Sequence, residues 1–267
     1  MGSSTIWQQR VAEALGPTGP AHRLGGTTWR LSAGGRDVVA KIGPGVSDEA
    51  GGLLALGSFD GGVSVPSVLV SGPDLLVTTW IDQEPRTPAH DERLGRELAA
   101  LHSSALRSWG GGSSWIGSCR IDPAARADGP AFYRARLNDL AKRCGLERSV
   151  EPVADSMADL APFGRPAALH GDLWWGNVLW GTGGTPWLVD PSFHGGHPEE
   201  DLGMLALFGA VSDRLLAAYL EIHPLDDGWQ ERVELWQLYP LLVHTILFGG
   251  GYRAQAEAVA RRYGRQT

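Results

Sequence analysis

Cysteine is scarce in this chain, and its scarcity excludes two architectures. The two cysteines, Cys119 and Cys144, have no zinc-ligand spacing and are too few for a disulfide framework, so a reducing, cytoplasmic setting is expected. No apolar run approaches the ~20 residues a membrane-spanning helix needs, and no membrane partner is expected. No charged-then-apolar segment opens the chain, and Met1-Gly2-Ser3-Ser4 reads as a start or an added remnant. Gly2 with Thr5 brings N-myristoylation to mind, but the pattern wants Ser or Thr at the sixth position, which is Ile6. Positive charge is also short. The 23 Lys and Arg against 30 Asp and Glu leave a net charge of −7, which argues against nucleic acid as a partner. There is no internal repeat and no low-complexity tail. What is present is apolar residues at 43% of 267, ample for a core in one large domain or two lobes sharing a cleft.

The most informative stretch is Leu169-His170-Gly171-Asp172-Leu173-Trp174-Trp175-Gly176-Asn177, followed at Leu188-Val189 by Asp190-Pro191. Asp172 and Asn177 lie five apart, and Asp190 follows at the end of a short apolar run. Phosphoryl transfer from ATP needs this set: one carboxylate to orient the acceptor hydroxyl, and an amide oxygen and a second carboxylate to hold magnesium. The element H-G-D-x-x-x-x-N matches the kinase catalytic loop H-R-D-x-x-x-x-N. Asp172 is therefore the expected catalytic residue, and Asn177 and Asp190 the expected Mg2+ ligands. His170 is expected to order the loop, and Asp201 to hold its backbone. His102 reads as a packing histidine. Trp174 reads as a wall of the cleft.

The rest of a kinase appears in order. Apolar spacing predicts a helix over Ile6–Leu15, ended by Gly16-Pro17. Strands follow on either side of Gly25-Gly26-Thr27-Thr28, then a Gly34-Gly35 hairpin into a strand Asp37–Ile42. A helix opens at Ser47-Asp48-Glu49 and ends at Gly57. Strands Ser67–Ser71 and Leu75–Ile81 precede a link at Asp82–Pro88. The remainder reads as helices at Arg93–Leu106, Phe132–Cys144, Val150–Leu160, Asp201–Ala210, Asp213–Ile222, Trp229–Gly249 and Ala254–Tyr263, with a long surface loop at Trp109–Asp128. The expected fold is α+β and bilobal, protein-kinase-like: a small antiparallel-sheet N-lobe (1–81) and a larger, mostly helical C-lobe (82–267).

Lys41 ends the strand Val38-Val39-Ala40-Lys41, a V-A-x-K context in which a lysine reaches the α- and β-phosphates. Glu49, eight residues on, is expected to hold it, with Asp48 as the rival. Gly25, Gly26 and Thr27 would bring backbone N–H groups over the phosphates. Thr79, Trp80 and Ile81 would contact adenine through the backbone.

Three segments together resemble the fructosamine kinase (ketosamine kinase) family: His170–Asn177, then Asp190–Leu202 with its D-P-x-x-x-x-G-H-x-E-x-D-L pattern, then Leu235–Arg253. The resemblance spans the chain and is weakest over the first eighty residues. It implies the aminoglycoside phosphotransferase and protein-kinase-like fold, ATP and Mg2+, and phosphorylation of a sugar hydroxyl on a ketosamine or related amino-sugar acceptor. Trp175 stands where this family usually has a small residue, and Phe193-His194 precede Gly195. With Trp174, these residues are expected at the acceptor site. Trp175 is expected to favour small free ketosamines over glycated proteins, and Glu199, Glu200 and Asp201 to offset the amine's charge. The rival readings are another small-molecule kinase, acting on an aminoglycoside or amino alcohol, and a nucleotide-binding pseudokinase. The oligomeric state is left open.

Overall fold

The computed structural model describes residues 3–264. Met1 and Gly2, on which the start and myristoylation readings turn, lie outside the described residues. Helix α1 (Ser3–Leu15) stops at Gly16, whose φ of +96° an L side chain rarely adopts. Strands β1 (His22–Gly25), β2 (Thr28–Ala33) and β3 (Arg36–Ile42) form a meander, helix α2 (Val46–Leu56) crosses, and β4 (Val68–Ser71) and β5 (Leu75–Thr79) complete an antiparallel sheet in the order β1-β2-β3-β5-β4. The β2–β3 turn is Gly34-Gly35, at φ +56° and +80°, the conformation a two-residue hairpin demands. Alternation along the strands sorts the two faces. Leu31, Val38, Ala40 and Val77 pack with Trp7 and Val11 of α1, while Leu76 points the other way into Val46, Ala50 and Leu53 of α2.

The link to the helical lobe is strapped to it by the backbone: Thr182 N donates to Asp82 O (3.2 Å) and Glu84 N to Trp180 O (2.8 Å). Helix α3 (Pro88–His102) begins five residues before the expected Arg93. Pro88 belongs to its first turn, where a missing N–H costs nothing, and Thr87 caps it, with Thr87 N donating to His90 Nδ1 (3.1 Å).

The expected surface loop at 109–128 is instead an internal wall. It carries a small hairpin, β6 (Trp115–Ile116) with β7 (Cys119–Arg120), and buries Trp109, Ile116, Cys119 and Ile121. Its glycines serve close backbone approach: a Cβ on Gly112 would lie 2.2 Å from Phe193 O. Helix α4 (Gly129–Cys144) follows. The single helix expected at 150–160 is two, α5 (Glu147–Asp155) and α6 (Met157–Leu160), broken at Ser156.

Strands β8 (Ala167–Leu169), β9 (Val178–Gly181), β10 (Thr185–Leu188) and β11 (His194–Gly196) frame the catalytic segment as two antiparallel pairs, β8–β11 and β9–β10. Helices α7 (Pro198–Leu207), α8 (Asp213–Leu220), α9 (Trp229–Phe248) and α10 (Gly251–Tyr263) complete the lobe. Its main core joins α4, α5, α9 and α10, and a second core joins α3 and α8 to the catalytic segment. Among the described residues, no helix is long and apolar enough to cross a membrane.

Candidate active site

A cleft of about 570 Å³ lies between the two lobes, lined by Gly25, Gly26, Thr27, Lys41, Glu49, Asp172 and Asp190 among others. Seven residues singled out from the sequence thus meet in one cavity. Lys41 sits near the end of β3, paired across to Thr28 of β2 and Leu76 of β5. Its Nζ contacts Glu49 Oε1 at 2.8 Å and also Asp190 Oδ1. Glu49, not Asp48, is therefore the lysine's partner on α2. Asp48 turns to the 109–128 wall and accepts from Ser114 N at 2.8 Å. Burial works against the Lys41 charge, but the carboxylates of Glu49 and Asp190 outweigh it and leave its pKa raised. Burial pushes the Glu49 carboxyl up to about 7 despite the Lys41 ammonium.

The catalytic loop is held from beneath. Asp201, fully buried at the start of α7, accepts from His170 N (2.8 Å) and Gly171 N (2.9 Å). His102 reaches the same carboxylate at 3.2 Å and Tyr219 OH at 2.7 Å, so it is a satisfied packing histidine. His170 Nε2 lies 2.9 Å from Val189 O, and its Nδ1 accepts from Asp172 N at 3.3 Å. Burial lowers the His170 pKa, which keeps the ring neutral with a proton on Nε2. His170 orders the loop and does not face the cleft chemistry. Gly171 adopts φ +80°, and a Cβ there would lie 2.1 Å from Ser192 O. Asp190 is the one non-glycine with positive φ among the described residues, at +57°.

Asp172 is half-buried. Desolvation first, and the neighbouring Asp190 charge second, raise its carboxyl well above the usual range, while Asn177 opposes them. Asn177 Nδ2 donates to Asp172 O (2.9 Å) and Asp172 Oδ2 (3.3 Å). That spends the amide N–H groups and leaves Oδ1 as an oxygen donor. Two carboxylates that repel each other, with an amide oxygen beside them, fit a divalent cation with oxygen preference. Among the described residues no cluster of three His, Cys, Asp or Glu could enclose a metal. The protein's share of the coordination is therefore small, as suits magnesium completed by phosphates and water.

A sequence profile described as fructosamine kinase matches residues 44–265. A Thermus thermophilus protein described as a ketoamine kinase is 34% identical over 247 residues, 90% of this chain and 91% of its own length. The chain belongs to the fructosamine kinase family. A crystal structure from Thermobifida fusca, described as a fructosamine-3-kinase, superposes with a TM-score of 0.90 at 35% identity, covering all of both chains. A choline kinase from Streptococcus pneumoniae, 14% identical with both chains fully covered, superposes at 0.70 and shows the shared protein-kinase-like fold alone. This fructosamine kinase family member is thus a phosphotransferase with an alcohol group as acceptor.

Several residues expected at the acceptor site of this family member make contacts within the protein. Trp175 packs at 6.2 Å from Trp180 with the Arg86 guanidinium 4.4 Å from its ring centre, and a Cβ on Gly209 would meet it at 2.7 Å. In the tight 3-10 turn Trp175–Asn177 it diverges from Trp174 and packs against the α3/α8 core. Phe193 packs back beneath α2, near Phe59 and the backbone of Gly52. His194 is buried in a polar network, its Nδ1 2.9 Å from Ser192 O and its Nε2 2.7 Å from Arg136 Nη1. Nor do the acids of α7 face an amine. Glu199 binds Arg232 and Trp236 Nε1, Glu200 accepts from Tyr133 OH, and Asp201 holds the loop. Of the adenine segment, Thr79 N donates to Ser67 O (3.0 Å) and Trp80 N to Asp37 O (3.3 Å). Those two N–H groups serve the sheet, and Ile81 is buried.

Trp174 is turned outward. It is 40% exposed, and its ring folds over Gly176, where a Cβ would lie 2.2 Å from it. It heads an aromatic patch that the sequence reading missed. Phe208 lies 5.8 Å from Trp174, His244 4.9 Å from Phe208, and Tyr252 5.0 Å and Phe248 5.5 Å from His244. Its signal was the helical spacing of His244, Phe248 and Tyr252, which runs through α9 into α10.

Proposed function

We propose that this protein transfers the γ-phosphoryl group of ATP to a sugar hydroxyl of a small ketosamine. The observation that carries the reading is the meeting of Asp172 with the Lys41–Glu49 pair and Asp190 in one cleft. The sheet lobe, residues 1–81, closes on the triphosphate. Gly25, Gly26 and Thr27 present backbone N–H groups to it, and Lys41 offsets α- and β-phosphate charge. Thr79, Trp80 and Ile81 flank the adenine end. The helical lobe, residues 82–267, carries the acceptor side. Asn177 and Asp190 would hold Mg2+, which would supply positive charge against the phosphate oxygens and between the Asp172 and Asp190 carboxylates.

Asp172 orients the acceptor hydroxyl for in-line attack. The new oxygen–phosphorus bond forms as the bond from the γ-phosphorus to the bridging oxygen breaks, the electron pair leaving with ADP. The hydroxyl proton passes to the Asp172 carboxylate. A carboxyl pushed upward by burial is a better base near neutrality than an exposed one. Trp174, Phe208, His244, Phe248 and Tyr252 stack on the sugar and face the amine, which aromatic faces attract. Burial lowers the His244 pKa, so the ring stays neutral and does not repel an ammonium. Free cysteines at 119 and 144 suit work in a reducing cytoplasm.

An ADP-release assay across free fructosamines and ribulosamines, a glycated protein, an aminoglycoside and choline tests the reading. Free ketosamines are expected to give the highest kcat/KM. A higher value for the aminoglycoside or choline overturns the acceptor assignment.

A further inference from the structure

The 109–128 wall brings one side chain into the cleft for which the protein itself provides no use. Ser113 is 5% exposed and lines the cavity with Asp172 and Asp190. Its Oγ is one of five buried side-chain atoms without a hydrogen-bond partner among the described residues, and of those five residues it alone lines this cleft. A buried hydroxyl without a partner destabilises the resting protein, so its presence calls for a reason outside the fold.

The backbone around it is fixed on both sides. Gly110, Gly111 and Gly112 all have positive φ, at +71°, +74° and +94°, a path that side chains would obstruct. Ser113 N donates to Phe193 O at 2.9 Å. The next residue, Ser114, is anchored through both its N–H and its hydroxyl on Asp48. The result is a hydroxyl on a fixed backbone, in the same cleft as Asp190 and Asp172.

The chemistry of that wall says what the hydroxyl meets. On the sheet-lobe side, Lys41 and the glycine turn supply donors. Along the catalytic segment, the side chains of Asp172 and of Asp190 to Ser192 offer none. Asp172 and Asp190 only accept, Pro191 has no N–H, and Ser192 spends its hydroxyl on Trp115 O at 2.9 Å. A phosphoryl group moving toward Asp172 turns oxygens toward that wall and finds carboxylates there. A neutral, preorganised donor is what developing charge on those oxygens requires.

We infer that the Ser113 hydroxyl donates a hydrogen bond to an oxygen of the terminal phosphoryl group as it is transferred. This rests on the phosphotransfer reading above and adds a catalytic residue on the acceptor-side wall.

The test uses the full chain and Ser113→Ala, with Ser113→Thr to restore a hydroxyl. Three quantities are read: the melting temperature without ligand, the ratio of affinities for a non-hydrolysable ATP analogue and for ADP with magnesium, and kcat with the best acceptor of the panel. Ser113→Ala is expected to melt at or above the wild-type temperature. It should lower the analogue-to-ADP affinity ratio about 10–100-fold, the scale of one hydrogen bond to a charged group, and reduce kcat about 10–100-fold with acceptor KM unchanged. Ser113→Thr should recover part of the loss in the affinity ratio and in kcat. A melting temperature lowered by several degrees overturns the inference by making the hydroxyl structural. An unchanged affinity ratio overturns it too, as does a loss confined to acceptor KM. If no acceptor is turned over by the wild type, the phosphotransfer reading fails. The affinity ratio then still decides whether Ser113 meets the terminal phosphoryl group.

Discussion

Charge placement at single residues divides the labour in the cleft. Lys41 is one of two lysines in the chain, and it is held by carboxylates from both lobes, Glu49 and Asp190. Asp190 pairs with Lys41 and, in the proposed reading, would also hold the metal. Asp190→Ala is expected to abolish the magnesium enhancement of ATP binding, while Asn177→Ala weakens it less, because a carboxylate brings charge and an amide only a dipole. Titrating ATP with and without magnesium checks this, and a full enhancement retained in Asp190→Ala places the metal elsewhere. At this scale the sequence was legible where chemistry fixes residue type and spacing, in that Lys41, Glu49, Asp172 and Asp190 line one cleft and Asn177 bonds Asp172. It was not legible at Phe193 and His194. An aromatic and a histidine beside the metal segment look like acceptor contacts, yet one fills space beneath α2 and the other completes a buried polar network with Arg136. Ser113 carried no pattern in sequence, because its role depends on three preceding glycines and a distant backbone oxygen.

Elements show why boundaries and loops were harder to read than chemistry. Apolar alternation placed the sheet strands well, since each face has its own helix to meet. The glycine- and serine-rich stretch 109–128 reads as a surface loop because its composition is that of loops. Those residues instead allow backbone contact with β11, Gly110 pairing with Gly195, and so build a wall of the cleft. The catalytic turn sends Trp174 and Trp175 to different duties, which periodicity cannot resolve over two residues. Trp175→Ala is accordingly expected to cost about 1–3 kcal/mol of stability, below the usual range for a fully buried tryptophan because the ring is only half-buried. It should leave the preference among acceptors unchanged. Urea unfolding alongside the acceptor panel measures both, and a shift in acceptor preference with unchanged stability returns Trp175 to the acceptor site.

At the scale of the whole molecule, the helical lobe is held together by buried polar groups, and acid should loosen it at them. His197, the cap of α7, is 6% exposed and stacks at 4.4 Å on Trp236. Its Nε2 lies 2.9 Å from Pro162 O, and its Nδ1 accepts from Glu199 N at 3.2 Å. Burial lowers its pKa from 6.5 to about 4. The unfolded chain then binds a proton that the folded chain refuses. Stability from this group is complete above pH 6.5, falls as pH drops from 6.5 toward 4, and changes no further below that. About 2.5 units correspond to roughly 3 kcal/mol. Neutral, buried His170 adds in the same direction. His197→Gln should be less stable at pH 8 but show a shallower loss between pH 6.5 and 4, and an unchanged slope in denaturant titrations at those pH values contradicts the assignment. The central claim is that this fold uses Asp172 to place a ketosamine hydroxyl against ATP. The direct measurement is phosphorus-31 NMR of wild type and Asp172→Asn with ATP, magnesium and a free fructosamine. The account predicts a sugar phosphomonoester formed one-for-one with ADP by the wild type. In Asp172→Asn it should form about 10²–10⁴-fold more slowly, the usual cost of losing a general base, with nucleotide affinity nearly intact. Wild-type conversion of ATP to ADP and free phosphate without a sugar ester, or an ester formed by Asp172→Asn at the wild-type rate, contradicts it.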